Sequence, residues 1–394
     1  MRFFVLASLV LILVLQEVAC RWLFPLPECD DFNRINYTPL AVYGEALTAR
    51  RHEGLSNIKL VWESEPDGFS FVHTLNLYGF RGPDFSIDKS GGQPRVVFVG
   101  DSYTEGAGAA DDQTLPEQFR QLTGAEVINL GVSGTGFPEY VRLVRDGVAL
   151  LKPDALFLVV CHNDLPTESA LEPLKPPPEF SRLNPWTPRA LAALTRKREG
   201  RSLPSRFFSG PFPFLAPVPS PANPLSYNPP LKNVDPVILD AMKRGKCNAA
   251  ALAQAGTHER VLRYDYSQGS GSGPFLDYIA KRCKEANTKL IVMFIPAPMT
   301  ANPLYMADQL RLGAPSYGKV TRLDGPEYRA AQRNLSEVSG KLGVPFLDMT
   351  DELIEAEKTG RMYWSIDTHC TPAGYRLLAE VCARYWTDKA MPRT

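Results

Sequence analysis

Five histidines occur among the 394 residues, and only His369 has a carboxylate two positions earlier, Asp367. A carboxylate beside an imidazole fixes its tautomer and stabilises the imidazolium, which makes the ring a base able to take a hydroxyl proton. In an extended chain, residues two apart point to the same side, so Asp367 and His369 are expected to pair. A hydroxyl suited to such a base is Ser102, in residues 95–108, RVVFVGDSYTEGAG, where an apolar run ends on Gly-Asp-Ser. Two further residues could hold the negative charge that follows attack on a carbonyl. Gly134, in NLGVSGTG, lets the backbone approach a ligand and present its N–H. Asn163, in CHNDL, offers a side-chain amide. With the Ser102 N–H, these would make three donors around one oxyanion. Taken singly, each is an ordinary turn or cap residue, so the chemistry depends on the elements that carry them.

Those elements alternate. VVFV (96–99), VINL (127–130), ALFLVV (155–160), LIVMFI (290–295) and VPFLDM (344–349) are short apolar runs of the kind buried on both faces of a parallel sheet. Between them, helical patterns are predicted near 114–123, 138–151, 275–286 and 326–342. Thr114 and Glu117 have capping-box spacing, and Thr371-Pro372 opens a last helix with Leu378, Val381, Cys382 and Tyr385 on one face. Every candidate residue falls just past a predicted strand or just before the last helix. The expected fold class is α/β, a three-layer sandwich around a central parallel sheet of about five strands, of the flavodoxin-like type. Residues 94–394 are expected to form the domain that carries it.

Residues 21–93 differ in character. Two β-rich runs flank Pro66-Asp67-Gly68, which is hairpin punctuation, so a small β-rich N-terminal module is expected. Residues 165–273 interrupt the alternation. Their first part, 165–236, holds 17 of the 35 prolines, so it is not expected to be a run of regular helix or strand. We read this insertion as a semi-ordered lid or wall over the carboxyl edge of the sheet.

Composition excludes some classes. Lys+Arg and Asp+Glu both total 43 and no basic run stands out, so a nucleic-acid partner is not expected. Arg2 and the thirteen-residue run FFVLASLVLILVL read as a secretory signal over residues 1–20, with a membrane anchor as the alternative. The protein is therefore expected to be exported: periplasmic, extracellular, or tethered and facing outward. Seven cysteines occur without a Cys-x-x-Cys or histidine-rich cluster, so no zinc site is expected.

In order and position, Ser102 in GDSYTEG, Gly134 in GVSG, Asn163 in HND, and Asp367 with His369 resemble the four motif blocks of the SGNH/GDSL hydrolase superfamily. NLYGFRGPDF (76–85) is similar to a segment that precedes the catalytic domain in many exported bacterial members. The resemblance covers about 95–164 and 275–388. It implies Ser102 as nucleophile, His369 as base, Asp367 as its acid, an oxyanion hole of Ser102, Gly134 and Asn163, and no metal or organic cofactor. It also implies a serine esterase acting on O-acyl esters, chiefly acetyl, of a small molecule or polysaccharide. Two alternatives stay open: an O-acyltransferase modifying cell-surface polysaccharide with the same residues, and a non-catalytic carbohydrate-binding protein on the same fold. Two departures stand out. The superfamily spacing is Asp-x-x-His where this chain has Asp367-Thr368-His369, and Cys161 stands where a glycine is usual. Cys161 and Cys370 flank the site residues and are read as core cysteines, with a disulfide between them as the lesser alternative. The α/β-hydrolase elbow, Gly-x-Ser-x-Gly, is not matched, because Thr104 stands where its last glycine belongs.

Overall fold

The computed structural model describes residues 2–23, 59–76, 78–89, 92–165, 186, 188–198, 233–244, 246–248, 251–252, 271–313 and 329–390. Five strands form one parallel sheet: β3 (Arg95–Gly100), β4 (Glu126–Gly131), β5 (Ala155–Cys161), β6 (Lys289–Ile295) and β7 (Phe346–Asp348), in the order β4-β3-β5-β6-β7. Every residue of β3 and β5 is buried, as a sheet covered on both faces requires. Side chains alternate between two cores. Val96 and Phe98 face one, with Phe119, Phe157, Tyr375, Leu378 and Trp386. Val97 and Val99 face the other, with Leu130, Tyr140, Leu158, Phe275 and Val292.

Helices Leu115–Thr123 and Pro372–Tyr385 supply the first core, and helices Phe137–Leu151 and Gly273–Glu285 the second. The expected caps are formed: Thr114 Oγ1 accepts from Glu117 N at 3.3 Å, and Thr371 Oγ1 from Gly374 N at 3.2 Å. The helix expected near 326–342 is described over Ala330–Leu342, and positions 326–328 lie outside the described residues.

The strand order locates the site. From β3 the chain moves outward to β4, then crosses back over β3 to β5 and continues outward the other way. The carboxyl ends of β3 and β5 therefore flank a topological switch point, where the following loops diverge and leave a crevice. The Ser102 loop leaves β3 and the Asn163 loop leaves β5.

The expected hairpin is present as β1 (Lys59–Ser64) and β2 (Phe69–Thr74), antiparallel with Ser64 opposite Phe69. Its alternation points Trp62 and His73 inward and leaves Val61 and Val72 exposed. The hairpin turn is tied to the insertion, because Glu65 N–H donates to Lys246 O at 2.7 Å and Arg244 grips the Glu65 carboxylate at 2.7 and 2.8 Å. Within the insertion, helix Pro236–Lys243 buries Ile238, Ala241 and Met242 in the first core. Helix Arg189–Arg198 corrects the expectation of no regular structure over 165–236: it occupies the proline-free gap between Pro188 and Pro204, where the spacing, not the average content, decides. The remainder of the expected lid, 166–185, 199–232 and 253–270, lies outside the described residues.

Helix Arg2–Leu23 is longer than its thirteen-residue apolar run. Its stretch from Phe4 to Leu23, 20 residues at mean hydropathy 2.0, is long and apolar enough to cross a membrane, as signal sequences and anchors both are. Cys161, Cys247, Cys283, Cys370 and Cys382 are buried free thiols, so no disulfide joins Cys161 to Cys370.

Candidate active site

Asp101 follows β3 and caps the four-residue helix Ser102–Glu105, its Oδ1 accepting from Tyr103 N at 2.9 Å. Ser102 is thus the first residue of a helical turn at the switch point. Gly100 has to be glycine there: a Cβ would lie 2.1 Å from Thr104 Oγ1 and 2.7 Å from the Val159 carbonyl oxygen. The turn closes on Gly106, left-handed at φ 95°.

His369 reaches it from the loop before the last helix. Its Nε2 lies 2.7 Å from Ser102 Oγ, and its Nδ1 lies 2.6 Å from Asp367 Oδ1. All three side chains are buried, with Ser102 5% exposed. The short Asp-x-His spacing works differently from the extended chain expected of it. Thr368 is left-handed, at φ 70°, so residues 367–369 form a tight turn that brings the two side chains to one side. A β-branched residue there costs about 1–3 kcal/mol. The turn is held by Thr368 N–H to Trp364 O at 3.2 Å and by Tyr103 Oη–H to Thr368 O at 2.8 Å.

Asn163 stands beside this group. Its Nδ2 donates to Asp101 Oδ2 at 3.2 Å, the oxygen that also lies 3.4 Å from Ser102 Oγ. Gly134 is exposed and left-handed, at φ 74°, in the loop after β4. Among the described residues no hydrogen bond joins it to the others. Its neighbour Ser133 is fixed instead, because Glu105 Oε2 accepts from Ser133 N at 2.8 Å and from Ser133 Oγ. Glu105 thereby links the loop after β3 to the loop after β4. Gly131 permits their approach, since a Cβ there would lie 2.2 Å from Glu105 N. Arg81, wholly buried, braces the first loop by donating to the carbonyls of Gly106 and Ala109 and to Asp111 Oδ1.

The GDSL-like lipase/acylhydrolase family model matches residues 98–377. The chain belongs to this family. It is an enzyme of the SGNH/GDSL type, a hydrolase acting on ester bonds. No curated protein sequence matches it. Solved structures similar to it include a lipolytic protein of the G-D-S-L family from Desulfitobacterium hafniense (12% identity, 74% of this chain and 98% of that one, TM-score 0.35). A lipase/acylhydrolase from Enterococcus faecalis is 14% identical over 76% of this chain and 99% of that one, with TM-score 0.35. A catalytic mutant of an acetylxylan esterase from Geobacillus stearothermophilus is 15% identical over 78% and 100%, with TM-score 0.37.

The electrostatics of this candidate site are set by burial and by close charges. Burial works against a charged His369, but the Asp367 carboxylate outweighs it, and Asp101 and Glu105 add to the effect, so its pKa is raised above 6.5. Asp367 is the converse: burial favours its neutral form, yet the His369 charge and the hydrogen bonds from His369 and Trp62 hold its pKa below 3.8. A base must be neutral to accept a proton. With His369 in the role of base, the acid limb of kcat/KM is expected above pH 6.5, read from a pH–rate profile of ester hydrolysis. Stability has the opposite sign. The raised pKa of His369 stabilises the fold fully below pH 6.5, and that contribution is lost as pH rises through the folded value.

Beneath Ser102, Asp101, Cys161 and Asp164 bring three potential ligand atoms within 4.8 Å of one another. Burial and the Asp101 charge push the Asp164 carboxyl well above its usual range. Its Oδ2 accepts from Cys161 N at 2.7 Å. Of these residues sequence reasoning singled out only Cys161, and not Asp101, Asp164, Glu105, Arg81 or Trp62. The signal for four of them was that Asp101 and Glu105 fall inside GDSYTEG, Asp164 inside CHNDL and Arg81 inside NLYGFRGPDF.

Proposed function

We propose that this hydrolase is a serine esterase that cleaves O-acyl esters, chiefly acetyl esters on carbohydrate. The observation that carries the reading is the unbroken line from Ser102 Oγ to His369 Nε2 at 2.7 Å and from His369 Nδ1 to Asp367 Oδ1 at 2.6 Å. His369 takes the Ser102 proton as Oγ attacks the ester carbonyl, and the electron pair moves onto the carbonyl oxygen. The Ser102 N–H, the Gly134 N–H and Asn163 Nδ2 are the donors for that oxygen. Asn163 has two amide N–H groups, and the one held by Asp101 aims the side chain while leaving the other for the oxyanion. Collapse expels the alcohol, which takes the proton from His369 and leaves an acyl-serine. His369 then deprotonates water, the acyl group leaves as the carboxylic acid, and Ser102 regains its proton.

Asn163→Ala is expected to lower kcat by about 10²–10³-fold, the usual cost of one oxyanion donor, with KM little changed. The reading as a whole is tested by acetate release from acetylated xylan and from p-nitrophenyl acetate, with and without an added sugar acceptor. Release to water in both cases supports the esterase. Transfer to sugar far exceeding release would make the chain an acyltransferase, and no turnover with an unlabelled Ser102 would make it a binding protein.

A further inference from the structure

The β1–β2 hairpin lies outside residues 98–377, which the family model matches, yet two of its side chains reach the acid of the site. Trp62 Nε1–H donates to Asp367 Oδ2 at 2.9 Å, the carboxylate oxygen that His369 leaves free. Asp67, in the hairpin turn, accepts from Ile366 N and Asp367 N, each at 2.9 Å, and from Ser64 Oγ at 2.7 Å. We propose that Trp62 and Asp67 are positioning residues for Asp367, so that the N-terminal hairpin completes the catalytic apparatus. The proposal rests on the reading of Ser102, His369 and Asp367 given above.

Three observations support it. A buried carboxylate oxygen without a donor is costly, and Trp62 supplies the hydrogen bond recorded to Asp367 Oδ2. The indole is itself fixed, lying flat on His73 (5.4 Å between centroids, 6°) and edge-on to His369 (5.5 Å, 89°), so its N–H has one direction. The loop needs an external clamp as well, because the short Asp-x-His turn passes through the strained Thr368. Asp67 provides that clamp by binding the backbone of the two residues just before Thr368.

The charges around the pair set the expected pH effect. Asp101, Glu105 and the Tyr103 ring face His369 from the end of β3. Asp67 faces Asp367 from the hairpin, and the Cys247 thiol faces it from the insertion. None of these charges is altered by Trp62→Phe, which keeps one aromatic ring, removes the N–H and leaves a small cavity beside His73. The carboxylate charge is then no longer shared with the indole, and the imidazolium is more favoured.

The test uses the full-length chain with p-nitrophenyl acetate. Trp62→Phe is expected to lower kcat by about 10- to 100-fold, the worth of one charge-assisted hydrogen bond, with KM within twofold and Tm lowered by only a few degrees, so that the protein stays folded at the assay temperature. Its acid limb is expected to move up by about half a pH unit or more. Asp67→Asn is expected to lower kcat similarly, and Trp62→His, which keeps a ring N–H, to recover part of the loss. Wild-type kcat with an unmoved limb in Trp62→Phe overturns the proposal and leaves the serine mechanism standing. So does a loss of activity no larger than the fraction of protein unfolded at the assay temperature, or failure of both variants to fold, either of which makes the hairpin a scaffold only. Full activity in Ser102→Ala overturns instead the reading on which the proposal rests.

Discussion

Ser102→Ala is expected to lower kcat/KM for p-nitrophenyl acetate by about 10⁴- to 10⁶-fold, and to abolish labelling by a fluorophosphonate probe. The substitution deletes one oxygen and adds nothing, so neither the helical turn at Ser102–Glu105 nor the cap from Asp101 is disturbed. Tm is accordingly expected to stay close to that of the wild type. Residual hydrolysis should remain above the uncatalysed rate, because the proposed oxyanion donors and the bound geometry survive. Labelling that persists in Ser102→Ala would place the nucleophile elsewhere.

Asp367→Asn carries the next largest expectation, a fall in kcat of about 10³- to 10⁴-fold. The carboxylate is bracketed by two donors, His369 Nδ1 on Oδ1 and Trp62 Nε1 on Oδ2. An amide has one acceptor oxygen and one NH₂ group, so at position 367 it must face one of these donors with N–H groups. If the NH₂ meets His369, the ring is driven to the tautomer with its proton on Nε2, which cannot accept from Ser102. If it meets Trp62, a buried N–H is left unpaired. Because Asp367 is also the main charge raising the pKa of His369, the acid limb should drop in this variant. Its movement on the pH–rate profile separates loss of the acid from a general loss of structure.

The site was unevenly legible in the sequence. Ser102, Asn163, Asp367 and His369 could be singled out because each follows or precedes a strong hydrophobic pattern, and such patterns mark strand ends and helix starts. The cap at Thr371-Pro372 similarly marked where the last helix begins. Residues at the centre of the hydrogen-bond network were not legible. Trp62 reads as a β-strand aromatic and Asp67 as a turn former, because nothing in a pattern of period two says which loop some 300 residues away a side chain will meet. The left-handed Thr368 was hidden for a related reason: a β-branched residue is a poor candidate for that conformation until its surroundings impose it.

What the sequence determined by itself is therefore local and periodic. Alternating apolar runs and capped helices specify a parallel α/β sheet, and chemically capable residues sit at its strand ends. The tertiary structure decided which strand ends become neighbours. The order β4-β3-β5-β6-β7 sets the Ser102 and Asn163 loops on either side of the switch point. The last helix packs against the same core and delivers His369 to within 2.7 Å of Ser102. The hairpin reaches Asp367 while the folded insertion and the loop before the last helix hold it from two sides. Hydrogen bonds of this kind depend on distances of a few tenths of an ångström between segments far apart in the chain. Packing sets those distances, whereas local propensity acts only over neighbouring residues.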